Sequence, residues 1–123
     1  AAHMVITLGT DGAVETTDRA EFARRLFSDI GNLKDVRMIS SESLRMGGQI
    51  GHQILAEAHD LKSGAPLKIV QWVRFGSGAH LQMIGTARLD KWDAAYPRFR
   101  AVRSFSVFIP LLPFFGAKRA PSA

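Results

Sequence analysis

Residues 67–88, LKIVQWVRFGSGAHLQMIGTAR, constrain the fold more than any other part of this sequence. They read as two strands joined by a glycine-rich turn. Side chains alternate across a strand. Leu67, Ile69, Gln71, Val73 and Phe75 therefore share one face of the first strand, and Lys68, Val70, Trp72 and Arg74 share the other. Large apolar groups stand on both faces, and a strand of that kind has to be covered on both sides. Gly76-Ser77-Gly78 suits a three-residue hairpin loop, because glycine supplies positive φ. That loop predicts Val73 opposite Leu81, Val70 opposite Ile84 and Trp72 opposite Gln82. Apolar cross-strand pairs on both faces then put the hairpin at the centre of a sheet.

The flanking segments supply the cover. Residues 5–8 read as a short edge strand or extended arm ahead of the turn sequence GTDG. In the next segment Asp18 and Glu21 have the spacing of a capping box. Phe22, Leu26 and Ile30 recur every four residues with Phe27 beside them, and Gly31 stands where a helix-ending glycine belongs. Residues 36–44 and 50–59 read as strands separated by the turn Met46-Gly47-Gly48-Gln49, and 60–66 read as a loop. After Arg88 the period changes. Asp90 is a candidate helix cap, and Trp92, Ala95 and Tyr96 form a stripe. Pro97 is expected to break or restart the helix; Phe99, Val102 and Phe105 then share a face, with Arg98, Arg100 and Arg103 off it. The predicted class is α+β: an antiparallel sheet of about five strands flanked by helices.

With 123 residues the chain has the length of one domain. Ala1–Met4 (AAHM) reads as a cloning scar, 5–105 as a single α+β domain, and 106–123 as an apolar C-terminal extension with a polar end. The extension contains VFIPLLPFF, too short to span a bilayer and interrupted by two prolines. Val107, Phe108, Ile109, Leu111, Leu112, Phe114 and Phe115 are its candidate interaction surface. Two readings stand: the run packs on its own domain, or it docks onto a second subunit or partner. The absence of cysteine excludes disulfides, thiolate metal sites and a cysteine nucleophile. The net charge of +5 is spread along the chain and reads as a solvated basic surface. Localisation stays open between an exported or periplasmic protein whose leader was trimmed and a cytoplasmic one.

The hairpin IVQWVRFGSGAHLQMIGTAR followed by PRFRAVRSF, with its Val102-Arg103-Ser104-Phe105 ending, resembles the second half of the PsbP-like fold. That family includes the extrinsic PsbP subunit of photosystem II, a Ran-binding Mog-type nuclear transport factor and uncharacterised bacterial proteins. The resemblance covers about 36–105 and rests on structural motifs. It implies an antiparallel sheet between helices, usually without enzymatic activity. No residue here matches the positions behind manganese, calcium or Ran binding in that family, and the apolar tail is additional to its pattern.

Candidate chemistry is sparse. His52 and His59 are seven residues apart and face opposite ways in one strand, so they cannot chelate together. Ser77 lacks the strand–turn–helix setting of a nucleophile elbow and reads as a hairpin tip. The Gly47-Gly48 turn leads into a strand, so no helix N-terminus awaits a phosphate, and Asp90 with Asp93 is explained by capping. Trp72, Arg74, His80 and Gln82 are candidate pocket or sheet-face residues. Lys68, Trp72, Arg74, His80 and Arg88 on one face would be the best case for nucleic-acid binding, unless a helix buries Trp72. No catalytic, metal or cofactor residue is assigned. The expected function is a non-catalytic binding or assembly module of bacterial type, joined to a protein partner or to itself. The alternatives are an enzyme or small-molecule-binding protein of unrecognised type and, behind those, a nucleic-acid-binding sheet.

Overall fold

The structure, a computed structural model, describes residues 2–10 and 14–111. Its strands are β1 (His3–Gly9), β2 (Leu33–Met46), β3 (Gln49–Asp60), β4 (Pro66–Phe75) and β5 (His80–Arg88), and its helices are α1 (Arg19–Ser28) and α2 (Trp92–Ser106). The strands form one antiparallel sheet in the order β1-β5-β4-β3-β2. The predicted α+β class holds, with the β4–β5 hairpin inside the sheet. β1 is the expected edge strand, but it begins earlier. His3 and Met4, read from sequence as a scar, pair with Thr86 and Gly85, and Met4 packs against the core beneath α2.

The hairpin register differs from the expected one by a single residue. Phe75 pairs with His80, Val73 with Gln82 and Trp72 with Met83, so the loop has four residues, closed by Gly76 N–H donating to the Ala79 carbonyl at 2.8 Å. A one-residue slip moves every side chain of a strand to the other face. His80, Gln82 and Arg88 therefore stand on the face of Gln71 and Val73, opposite Trp72 and Arg74. The face that was expected to gather Lys68, Trp72, Arg74, His80 and Arg88 does not exist.

Each sheet face has its own core. On one, Val70, Trp72, Leu81, Met83 and Ala87 pack against Trp92, Ala95 and Phe99 of α2. On the other, Ile54, Ala56, Ala58, Ile69, Val73 and Phe75 pack against Ala23 and Phe27 of α1. Trp72 is fully buried, and its indole N–H donates to Gln53 Oε1 on β3 at 2.7 Å. Gln82, expected across from it, points to the far face. An aromatic layer seals α2, with Trp92 and Tyr96 stacked at 5.2 Å and Trp92 against Phe99 at 5.8 Å.

The helix ends depart from the sequence signals. Asp18 precedes α1 but makes no side-chain capping bond, because a 3₁₀ turn at Thr16–Asp18 leads into the helix with Asp18 already in helical geometry. Asn32, with φ 63°, rather than Gly31, takes the left-handed conformation after α1. Asp90 likewise lies in a 3₁₀ turn, Leu89–Lys91, and α2 begins at Trp92. Pro97 does not interrupt α2. Pro97 lies on the exposed side of the helix, while buried Ala95 and Phe99 pin the turns around it. Downstream of Phe99 the buried position is Ser106, and Phe105 is 72% exposed. Arg103, placed off the stripe by sequence, lies over the Trp72 ring at 4.8 Å.

Gly47 and Gly48, with φ of 56° and 84°, form the two-residue β2–β3 hairpin turn, a conformation that favours glycine at both sites. Gly85 matters for another reason: the Phe99 ring rests on its backbone, where a Cβ would collide with three ring atoms. Gly85→Ala is expected to lower the urea-unfolding free energy by about 1–3 kcal/mol through overpacking. Gly31→Ala, with nothing within 4 Å of its added Cβ, is the control. Equal stabilities for the two variants would show that α2 does not seat on β5 in this way.

Candidate functional site

Two regions stand out on this scaffold: the C-terminal end of α2 and a cleft beside α1. At the first, Arg74 is 5% exposed at the end of β4. Its Nη1 donates to the Ser106 carbonyl and, at 3.1 Å, to the Ile109 carbonyl. The last carbonyls of a helix lack intrahelical donors and carry partial negative charge, so a guanidinium there satisfies them. Burial pushes the Arg74 pKa below the usual arginine value. Arg74 is thus a clamp on the chain leaving α2.

The clamp divides the tail. Val107 packs over Gly47, and Leu111, 8% exposed, packs over Gly76 and joins the α2-side core. Phe108 is 78% exposed, with its ring 6.4 Å from that of Phe105, and Ile109 is partly open beside them. Leu112, Phe114 and Phe115 lie outside the described residues. Of the tail residues singled out by sequence, Val107 and Leu111 face their own domain, and Phe108 and Ile109 face outward.

The second region follows from the placement of α1. Its first turns reach the hairpin end of the sheet, where Phe22 meets the Phe75 and His80 rings at 6.0 and 4.9 Å. Its last turn leaves a cleft of about 680 Å³ above β5 and β1, walled by Leu26, Ile30 and Leu33 and floored by Val5, Leu67 and Ile84. Gln82 and Thr86 also line it, with Asp29, Asp60 and Lys62 near its margin. The Asp60 carboxylate is already used by its own turn, accepting from Lys62 N–H, Ser63 N–H and the Ser63 hydroxyl. The bonds from Ser63, chiefly its backbone N–H, hold the Asp60 pKa below the ordinary value.

Trp72, Arg74, His80 and Gln82, grouped by sequence, are therefore not one site. Trp72 is core, Arg74 clamps the tail, His80 packs on Phe22, and Gln82 lines the cleft. The signal that could have found the cleft is the pair of glutamines, Gln71 and Gln82, in otherwise apolar central strands. Buried amides require partners.

His52 has acquired a partner that the sequence did not suggest. It is 4% exposed, and its Nε2 is 2.8 Å from Ser41 Oγ on β2. A serine beside a histidine is half of a nucleophilic pair, but among the described residues no carboxylate hydrogen-bonds this imidazole. Its role is that of a satisfied core residue. His59 lies on the other side of the sheet, 3.4 Å from Asp35. Among the described residues no three His, Cys, Asp or Glu side chains converge as metal ligands.

Comparison with solved structures agrees with this architecture. At 16% identity and a TM-score of 0.65, the protein of unknown function PA94 from Pseudomonas aeruginosa matches 84% of this chain over 69% of its own. LpqN of Mycobacterium tuberculosis, involved in cell envelope biogenesis, matches 78% of the chain over 56% of its own, with 17% identity and a TM-score of 0.60. The cyanobacterial PsbP, CyanoP, of Synechocystis sp. PCC 6803 matches 84% over 64% of its own, with 15% identity and a TM-score of 0.55. The chain has a PsbP-like fold. No family model and no curated protein matches it. At these identities the PsbP-like likeness is one of fold, and the site must be argued from this chain's own residues.

Two outcomes test the geometry. Burial first, then the Arg24 charge, lowers the His52 pKa below 6.5, with Glu42 opposing. Below 6.5 the unfolded chain takes up a proton that the fold refuses, so this contribution is present above 6.5 and is lost as pH falls through the folded value. His52→Gln is expected to flatten the loss of stability between pH 7 and about pH 5, measured as urea midpoints; an unchanged slope would assign it to other groups. Arg74→Met is expected to speed amide exchange at Phe108 and Ile109, whose N–H groups bond to the Phe105 and Ser106 carbonyls. Exchange in β4 and β5 should change far less. Unchanged protection of the tail would remove Arg74 as its clamp.

Proposed function

We propose that this domain is a non-catalytic binding module that holds a protein partner on the aromatic surface where α2 ends. The observation that carries this is the pair Phe105 and Phe108, 72% and 78% exposed with their rings 6.4 Å apart. The apolar sequence continues from that pair through Leu112, Phe114 and Phe115. Exposed apolar patches of this kind mark interaction surfaces, and buried aromatic anchors dominate binding energy.

The clamp makes such a surface usable. Arg74 and Leu111 tie the backbone to the sheet, so the two phenylalanines are presented from an ordered segment and lose little entropy on binding. Charge selects the class of partner. Arg98 and Arg100 are exposed on α2, Arg103 is half-buried, and the helix carries one acid, Asp93. A second copy docked through the same patch would bring arginines together, whereas a partner with an apolar segment and acidic flanks is complementary. An enzymatic reading has less support, since the titratable groups near the cleft margin are dispersed and Asp60 is held by its own turn.

The test places a photo-crosslinking amino acid at Phe108 in cells that make the protein, then measures affinity for the purified crosslinked partner. Phe105→Ser/Phe108→Ser is expected to weaken that affinity at least tenfold, with wild-type affinity falling as salt rises. Because both rings are exposed, the variant should keep the wild-type melting temperature. Crosslinking only between copies of this chain, or wild-type affinity in the variant, would overturn the proposal.

A further inference from the structure

The cleft beside α1 has a polarity that the fold dictates. Gln71 and Gln82 pair in adjacent strands offset by two residues (Gln71 faces Ile84) and both point toward α1. Gln71 Nε2 donates to the Ala23 carbonyl of α1 at 2.9 Å, and Gln82 Nε2 donates to Gln71 Oε1 at 2.7 Å. A backbone carbonyl can only accept, so Gln71 must present its amide nitrogen to Ala23 and its oxygen to Gln82. Gln82 must then present its nitrogen to Gln71. The end of the relay is therefore always Gln82 Oε1, whichever way an isolated amide would prefer to turn.

That oxygen has no hydrogen-bond partner among the described residues and is not among the atoms sealed from solvent. The residue itself is 9% exposed and lines the cleft, so Oε1 opens onto that space. Ile84, Leu26 and Ile30 line the same cleft. Thr86, also 9% exposed, follows two residues beyond Ile84 on the same face. One oriented acceptor beside apolar side chains, in a cleft of about 680 Å³ that His3, Asn32 and Thr86 also line, has the size and composition of a small-molecule site.

We propose that this cleft binds a small neutral molecule with an apolar body and a hydrogen-bond-donating head, the donor meeting Gln82 Oε1. At Gln82 Oε1 a carboxylate head brings only acceptors and would be desolvated beside an oxygen, so that position favours amides or alcohols over fatty acids, and Lys62, the cation near the cleft, stands at its margin with Asp29 and Asp60. This site lies on the α1 face of the sheet, apart from the aromatic surface at the end of α2, and it stands or falls independently of that surface.

The experiment is isothermal titration calorimetry of the full chain with decanamide, decanoate and N,N-dimethyldecanamide, which keeps the amide carbonyl and chain but has no N–H. Decanamide is expected to bind at least tenfold more tightly than either of the others, a difference of about 1.4 kcal/mol. Gln82→Leu should abolish that preference. Because it also leaves buried Gln71 Oε1 without its donor, Gln71→Leu/Gln82→Leu is the companion variant, in which both partners are apolar and folding is preserved; it too should bind decanamide and its dimethyl analogue alike. Absence of decanamide binding to the wild-type chain, equal affinity for the dimethyl analogue, or a preference that survives in the folded double variant would each overturn the proposal.

Discussion

The structure depends on β4 being buried on both faces at once. Trp72 and Val70 on one side and Ile69, Val73 and Phe75 on the other are all almost wholly withdrawn from water. Burying one such side chain contributes about 1.5–3 kcal/mol, so neither helix can leave without exposing several of them. The two helices and the order of the strands follow from that requirement. α2 needs the Trp72 face and reaches it by laying Phe99 on the bare backbone of Gly85. α1 needs the Val73 face and is fixed there by Ala23 and Phe27.

Polar groups inside such a strand are the exceptions that organise function. Gln71 has no water to turn to, so it takes the Ala23 carbonyl, and Gln82 takes what Gln71 has left. The chain of donors ends at the cleft because α1 covers β3 more than β5 and β1. Arg74 on the opposite face solves the corresponding problem by accepting the position of a helix cap, where its charge meets the Ser106 carbonyl at the end of α2 and the Ile109 carbonyl just beyond it. Both devices give buried side-chain nitrogens a carbonyl to bond, Gln71 Nε2 and Arg74 Nη1, and both fix the shape of a surface facing outward. In the first case that surface is a cleft floor, and in the second it is a pair of aromatic rings.

PA94, LpqN and CyanoP are similar to this chain in fold. What those folds share with this chain is a sheet between helices. The relay and the aromatic surface are built from side chains, which sequence identities of 15 to 17% do not carry from one protein to another. The PsbP-like architecture therefore supplies a frame, and this chain's own residues supply the sites.

Much of the fold was legible in the sequence because periodicity is local. Strands at 36–44, 50–59 and 67–88, a helix with Phe22, Leu26 and Ile30 on one side, and a helix around Trp92 all announce themselves by which side chains repeat. The two-faced apolar pattern of 67–75 was enough to place the hairpin within the sheet. The candidate sites were not legible, because they depend on register and on distance along the chain. One residue more in the loop after Phe75 moved His80 and Gln82 to the other face, and loop length is decided by the best pairing of whole strands. The partners of Arg74 and Gln71 lie 32 and 48 residues away, in helices whose seating no local pattern encodes. Continuity of Pro97 within α2 and the outward turn of Phe105 were likewise settled by which face of the helix met the sheet. The sequence by itself determined the elements and their buried faces, since those follow from alternation and local geometry. Only the tertiary structure decided which polar groups meet, since that follows from how the faces are brought together.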